Sequence, residues 1–477
     1  MTDQFSSLLN STLDTLGYSI ENISLRAKVS KTVKGMCSER CTKQFGLKLL
    51  SAGSKAEGVS PIFASDEDSM LVYTDYVCVD FGDIGNGIYV IMRYLDESPP
   101  GYIKLRPLGA RNITALPWLL IFSMYVTNLD IVLLSSMSFR NFLTLIYSRL
   151  MPYLGSANKV SKVSGPALAL TVNRCMLNHV FSSDIYADIV PALPYYSSSI
   201  LEQWKDRKRL YEWPTTDTIK EVSTTEGYVV PVGHKQSEEQ NFEWRVCYTT
   251  GEQKLLGSLN EVQIKLYVLL KMINSCVIKG QVDCLTSYMI KNIVMWVSET
   301  CRTGTFTPDN LSRVVLQSLA FLRNCLLYSN FLPNYMISDR NLLFGKVEVQ
   351  EKLKLGKIIA ELLHEGEHIF LRCEKLKNAM FIMCANPALA FRFRAWRNEI
   401  EELFLFAHVN IFSKIKPDMV LRSTFSYDLL FEYMKDKSFV ETVIRLFNLL
   451  SIDERTLFGN GFQSFEDIDK WLDRLFS

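Results

Sequence analysis

Asp66 and Asp68 stand two residues apart in an otherwise apolar run, shortly after the small-residue pair Gly53-Ser54. In an extended chain residues i and i+2 point to one side, so these carboxylates face together while Glu67 faces away. Two carboxylates on one face repel each other unless a cation sits between them. Mg²⁺ or Mn²⁺ suits such a pair, because a hard cation takes one or two carboxylates together with substrate phosphates. A two-metal phosphoryl-transfer centre needs a further carboxylate, and Asp188 in DIYADIVPAL is the acid that a second apolar strand supplies. Gly53 gives a turn its permissive backbone, and the Ser54 hydroxyl with nearby amides can cradle phosphate oxygens. A lone D-x-D is weak in a chain with 51 acids, where a solvated acid pair is the plain alternative. A glycine-serine turn at this interval, followed by a later strand acid, is far more specific.

The elements that would position these residues follow from periodicity. Residues 3–45 carry helical spacing (Phe5, Leu8, Leu9, Leu13, Leu16, then Ile23, Val29, Val33), with Gly17 as a kink. Residues 69–135 alternate β-rich runs with turn signals such as GDIGNG and ESPPG, and a second β-rich group lies at residues 167–172, 185–193 and 227–232. From residue 260 onward the spacing is helical. The expected fold class is therefore α/β, a mixed-sheet lobe with a long N-terminal helix, then a helical lobe and a helical extension. At 477 residues and 48% hydrophobic the chain buries a large core. Its 52 basic and 51 acidic residues nearly cancel, so nucleic-acid binding would need local clustering. The 11 widely spread cysteines and the absence of a basic-then-apolar leader indicate a reducing, cytoplasmic setting. Cys37 and Cys41 read as structural thiols. Residues 116–137 are very apolar, but Asn128 and Asp130 near the middle would each cost about 2–3 kcal/mol in lipid, so a buried helix or helix pair is expected and no membrane.

Beyond the acids, GYVVPVGHK and NFEWRVCYTTGEQKLL (residues 227–256), LTSYMIKNIVMWVSE (285–299) and FLPNYMISDRNLL (331–343) follow in order. Together with the glycine-serine turn and the acids, this pattern resembles the cyclic GMP-AMP synthase-like (cGAS-like) receptors of the Mab nucleotidyltransferase family, over roughly residues 5–350. The resemblance implies a bilobal nucleotidyltransferase fold: a catalytic lobe with its spine helix at 1–245, the helical lobe at 246–350, and an added helical extension at 351–477. It implies Asp66, Asp68 and Asp188 as catalytic metal ligands, with Gly53 and Ser54 at the donor triphosphate. Lys265 and Ser287 would contact phosphates, Tyr288 would stack on a base, and Arg245 would touch a base edge. On the residues alone Tyr288 reads rather as a helix-packing aromatic, and Arg245 as an ordinary surface arginine. Cys247, Thr249 and Val190 depart from polar positions of the vertebrate enzyme and bear on nucleotide choice. The short join at 252–265 contains neither His nor Cys, so the vertebrate zinc insertion is missing and no structural zinc is expected.

Arg26, Lys28, Lys31, Lys34, Arg40 and Lys43 lie along the N-terminal helix, with Lys28, Lys31 and Lys34 spaced by three. On charge alone a solvated helix face is the preferred reading, but the resemblance favours a nucleic-acid contact, double-stranded RNA more readily than DNA. WKDRKR (204–209) and FRFRAWR (391–397) are further basic patches. The activity implied is metal-assisted synthesis of a cyclic dinucleotide second messenger in innate immune sensing, from ATP, GTP or other ribonucleoside triphosphates, with dimerisation on ligand as a further expectation. Two alternatives stand beside it. His364-Glu365-Gly366-Glu367-His368 matches the H-E-x-x-H zinc-protease helix, although Gly366 weakens a helix there. A catalytically silent scaffold on the same fold is the other.

Overall fold

The computed structural model describes residues 2–61, 67–80, 89–94, 98–110, 124–126, 131–154, 159–172, 185–345, 347–414 and 435–449. The expected N-terminal helix is two helices. α1 (Thr2–Thr15) ends before Gly17, whose φ of 86° is left-handed, and Ser19 caps α2 (Ile20–Phe45) by accepting from the Asn22 amide. The α2 helix leads directly into β1 (Leu47–Ser51) and the one-turn helix α3 (Gly53–Ala56).

The strands that follow are β2 (Glu67–Tyr73), β3 (Tyr76–Val79), β4 (Tyr89–Tyr94), β5 (Tyr102–Ala110), β6 (Met124–Val126) and β7 (Val132–Leu134). After α4 (Ser136–Leu154) come β8 (Lys159–Ser164), β9 (Ala167–Val172) and β10 (Ile185–Tyr196). Then come α5 (Ser198–Asp206), α6 (Thr216–Ser223), β11 (Gly227–Val230) and β12 (Glu243–Cys247). Ten strands form one mixed sheet in the order β1-β2-β10-β11-β12-β5-β4-β3, with β8 and β9 added beside β10. The long β10 strand pairs parallel with β2 through its first half and antiparallel with β11 through its second. It thereby carries one sheet face from the acids to β12.

That face can be followed residue by residue. Asp188 pairs with Asp68 and Ala192 with Val72; Leu193 opposes Val229, and Val230 opposes Arg245, which in turn opposes Tyr102. Opposed residues share a face and alternate residues return to it. Asp68, Asp188, Arg245 and Tyr102 therefore project from the same side. Between them Met70, Val72, Ala192, Tyr228 and Val230 form a small apolar floor, with Val190 and Cys247 against it. The opposite face, carrying Leu193, Tyr195, Val229 and Trp244, packs into the main core with α1 and the helical lobe.

One expectation is corrected here. The described part of residues 116–137 is not helical before Ser136; β6 and β7 pair as a two-stranded antiparallel ribbon. Tyr125, Val126 and Val132 are aromatic or β-branched, and such residues favour extended backbone over helix. Asn128 and Asp130 lie outside the described residues. Among the described residues no helix is long and apolar enough to cross a membrane.

The helical lobe comprises α7 (Thr249–Gly257), α8 (Glu261–Ile273), α9 (Ser287–Thr300) and α10 (Leu311–Leu327). An Asn260/Gln263 capping box starts α8, and Thr286 caps α9 by accepting from the Met289 amide. The extension holds α11 (Val349–Glu365), α12 (Glu374–Ala385), α13 (Pro387–Lys414) and α14 (Lys437–Leu449). Leu405, with Val409 and Phe412, packs on Leu25, Val29 and Val33 of α2, so the extension lies along the N-terminal helix.

Candidate active site

Asp68 and Asp188 are direct register partners on adjacent parallel strands, and both are half-buried. Asp66, the third expected ligand, lies outside the described residues. Among the described residues no group of three or more His, Cys, Asp or Glu side chains is placed to hold a metal ion. Two half-buried carboxylates on one sheet face are nonetheless the donor type a hard divalent cation takes. Gly53 sits directly against the first of them. With φ at 69°, a Cβ built on Gly53 would meet Asp68 Oδ2 at 1.8 Å. The Ala52 amide donates to the Asp68 carbonyl at 3.0 Å, fixing the turn to the strand. The Ser54 carbonyl accepts from the Val59 and Ser60 amides at 3.1 and 3.3 Å, and its hydroxyl accepts from the Ser60 hydroxyl at 3.0 Å. Gly53→Ala is expected to cost about 1–2 kcal/mol in backbone strain and to displace the Asp68 carboxylate. Calorimetry should show metal-dependent triphosphate affinity reduced by at least about tenfold, the equivalent of 1.4 kcal/mol.

The helical lobe closes on the turn through buried charge. Glu57, just after α3, receives the ammonium of Lys291 and, at 3.1 Å, the hydroxyl of Tyr267. Glu252 lies 3.7 Å from the same ammonium. Burial works against the charge on Lys291, but the Glu57 and Glu252 carboxylates outweigh it and hold its pKa above the usual lysine value. The Tyr288 hydroxyl donates to Glu252 at 2.7 Å and accepts from Asn334 Nδ2 at 2.8 Å. Tyr288 is thus a half-buried, oriented ring beside Arg245, and Ser287 lies exposed in the first turn of α9.

Lys265 does not serve as expected. Its side chain is 0% exposed, its ammonium lies 2.5 Å from Asp14 and against Glu261, and it donates to Asn10 Oδ1 at 3.0 Å. It ties α1 to α8, and its charge is already answered. Sequence reasoning missed Lys271, which shares a helix face with Tyr267 by the i, i+4 rule and lies 5.7 Å from that ring. Burial lowers the Lys271 pKa, while its ammonium is within the fields of Glu57, Lys291 and Asp68. Lys265→Met should destabilise the fold by about 3 kcal/mol, because it removes the closest cation from half-buried Asp14 and leaves only Arg394, at 3.9 Å, to answer it. Nucleotide affinity of the folded fraction should stay unchanged, as thermal melts paired with calorimetry would show.

The basic stripe on α2 also divides. Arg26 is buried, donating to the Gly58 carbonyl at 2.7 Å, the Gly17 carbonyl at 2.9 Å and Glu401 Oε1 at 2.9 Å. Lys34 reaches Ser69 Oγ at 2.6 Å, and Arg40 donates to the Phe412 carbonyl at 2.9 Å. Lys28, Lys31 and Lys43 are exposed, with Lys43 paired to Glu39. Arg26 is therefore an internal tie and not a nucleic-acid contact. In the other patches Arg207 and Arg209 share Glu299, and Arg397 pairs with Glu401 at 2.9 Å. The protease alternative fails on helix geometry. α11 stops at Glu365, Gly366 takes a φ of 60°, and a 3-10 turn follows, so His364 and His368 do not share an α-helical face. Glu367 instead accepts from the Ser312 hydroxyl at 2.6 Å.

No curated protein matches the chain. Residues 263–361 match the family described as the Mab-21 protein HhH/H2TH-like domain, which spans α8 to most of α11. A mixed-sheet lobe facing a helical lobe across a glycine-serine turn is the nucleotidyltransferase-like bilobal arrangement, and within the helical part residues 263–361 are similar to the Mab-21 domain.

Proposed function

We propose that this chain is a metal-dependent nucleotidyltransferase that joins two ribonucleoside triphosphates into a cyclic dinucleotide, each phosphodiester forming at an α-phosphate as its α–β anhydride breaks and pyrophosphate leaves. The observation that carries the reading is the register pairing of Asp68 with Asp188 on one sheet face, against a glycine whose missing side chain makes room for the Asp68 carboxylate. Asp68 and Asp188, joined by Asp66, would hold Mg²⁺ or Mn²⁺. When bound, the ions supply charge neutralisation at the α-phosphate and acidify the attacking ribose hydroxyl. The chain's own residues position the reactants. The turn at Gly53 and Ser54 and the Lys271 ammonium bind the donor triphosphate, Ser287 extends that contact, and Tyr288 offers an aromatic face to a base. The helical lobe excludes water as it closes over the sheet.

A nucleic-acid duplex, RNA before DNA, would act as activator along the exposed Lys28 and Lys31. A silent binding module is the second reading, and one observation favours it: Arg26, Lys34 and Arg40 of the basic stripe are engaged within the protein. The deciding assay incubates the full chain with all four ribonucleoside triphosphates, Mg²⁺ or Mn²⁺, and RNA or DNA duplexes. A cyclic dinucleotide appearing with one duplex type is the expected result. No nucleotide product under any combination would favour the silent module.

A further inference from the structure

The apolar floor of the sheet face ends at Arg245, and a second guanidinium stands over the neighbouring Tyr102. Arg340 comes from the loop between α10 and α11, where its amide donates to the Ile337 carbonyl and its carbonyl accepts from the Asn334 amide, both at 2.9 Å. It is only 6% exposed, and its guanidinium lies 5.4 Å from the centroid of Tyr102, the register partner of Arg245. Its stem fills the space a side chain at Gly101 would occupy, since a Cβ there would meet Arg340 Cδ at 2.6 Å. Cys247 and Tyr288 lie within the fields of both guanidiniums.

Neither arginine side chain has a hydrogen-bonded or ion-paired partner among the described residues. The neighbouring acids are already taken. Glu243 accepts from the His234 amide at 2.7 Å and from the Ser237 hydroxyl, and Glu252 accepts from Tyr288 beside Lys291. Burial, followed by the charge of Arg340, holds the Arg245 pKa below the usual value. Two like charges within each other's field, Arg340 buried and Arg245 half-buried, repel. A neutral base edge, the contact that the family resemblance implies for Arg245, would leave that repulsion standing. A phosphate removes it, and the planar guanidinium fork matches phosphate oxygens bidentately.

We propose that Arg245 and Arg340 form a phosphate-binding subsite at the end of the cleft remote from Asp68 and Asp188. Strand rise and spacing put the Asp188 and Arg245 Cα atoms about 16 Å apart. The phosphate at the arginine pair is therefore not the one at the acids. It belongs to a second nucleotide, as its 5′-phosphate chain or as the phosphodiester of a linear product. The subsite stands on the arginines alone and shares with the transferase reading only the assumption that the cleft takes nucleotides.

The test uses full-length protein carrying Asp68→Asn and Asp188→Asn, in EDTA, so that the acid centre contributes nothing. Calorimetry and thermal melts are run with tripolyphosphate, a ribonucleoside triphosphate, a dinucleoside monophosphate and a nucleoside. Both triphosphates should bind and raise Tm while the nucleoside does neither, and Arg340→Gln should weaken binding at least tenfold. Arg340→Lys keeps the charge without the fork; if it folds like the parent and loses less affinity than Arg340→Gln, the loss is not one of folding. A dinucleoside monophosphate binding as well as tripolyphosphate assigns the phosphodiester, and its failure to bind assigns the 5′ chain. Nucleoside binding equal to the triphosphates, or unchanged affinity in both Arg340 variants, overturns the subsite. A cyclic product from the wild-type chain alongside that outcome would leave the transferase reading intact, whereas phosphate binding without any product would retain the subsite and remove the reaction.

Discussion

Asp68→Asn and Asp188→Asn, singly, are expected to lower nucleotidyl transfer by at least about a thousandfold, a loss of roughly 4 kcal/mol of transition-state stabilisation. The register pairing is the reason. The two carboxylates are register partners on the cleft face, so removing either breaks the opposed pair that, with Asp66, would hold a divalent ion against phosphate. The same geometry predicts an opposite effect on stability. In EDTA the two acids repel across the strand gap, and like charges directly opposed destabilise a sheet by about 0.2–1 kcal/mol. Either asparagine should therefore leave Tm unchanged or raise it slightly without metal. Addition of Mn²⁺ should raise the wild-type Tm and leave both variants where they were. A variant that loses activity together with several degrees of metal-free Tm would show that the acids hold the fold, and the catalytic assignment would fall.

How much of this was legible beforehand depends on how local the determining physics is. Alternation within a strand put Asp68 on one face, and the strand around Asp188 could be recognised from its apolar run. Their direct opposition could not, because it requires parallel pairing between segments separated by more than a hundred residues. Helix spacing located α8 but not the direction of its lysines. Lys265 turns toward Asp14 on α1, a partner from the far end of the chain, while Lys271 lies near the Tyr267 ring within the fields of Glu57 and Asp68. Arg26 fitted a basic stripe by spacing, yet its neutralising carboxylate, Glu401, lies in a helix whose docking no local pattern announces. The H-E-x-x-H match failed on a local rule already visible in the chain, the glycine that ends α11. The residues at 116–137 misled because strong hydrophobicity reports burial, and only the β-branched content separates strand from helix.

Glu401→Gln is expected to weaken triphosphate binding although Glu401 lies in the extension, well along the chain from the candidate site. Arg26 connects the two: Nη1 donates to Glu401 at 2.9 Å while Nε donates to the Gly58 carbonyl at 2.7 Å, at the exit of the turn that begins at Gly53. Asn22 and Arg397 complete the ring around the carboxylate, each at 2.9 Å. Burial alone would raise the Glu401 pKa, but Arg397 and Arg26 outweigh it and hold the carboxyl below its usual 4.5. A depressed carboxyl contributes stability that is present above the unfolded-state value and lost as pH falls through the folded one. Wild-type Tm should therefore drop on acidification below 4.5, and this step should shrink in Glu401→Gln. At neutral pH the substitution should cost about 3 kcal/mol, because it leaves the buried Arg26 and the half-buried Arg397 guanidiniums without their anion. Leu405→Ala supplies the control. It removes a buried side chain from the same helix, at 4% exposure, for a comparable loss of about 2–5 kcal/mol, but it leaves the Arg26 hydrogen bonds in place. With both proteins measured well below their Tm, Glu401→Gln should raise the Kd or KM for triphosphate at least fivefold, and Leu405→Ala should change it little. Equal effects would mean that the extension supports the fold in general, and that no specific path runs from Glu401 through Arg26 to the turn.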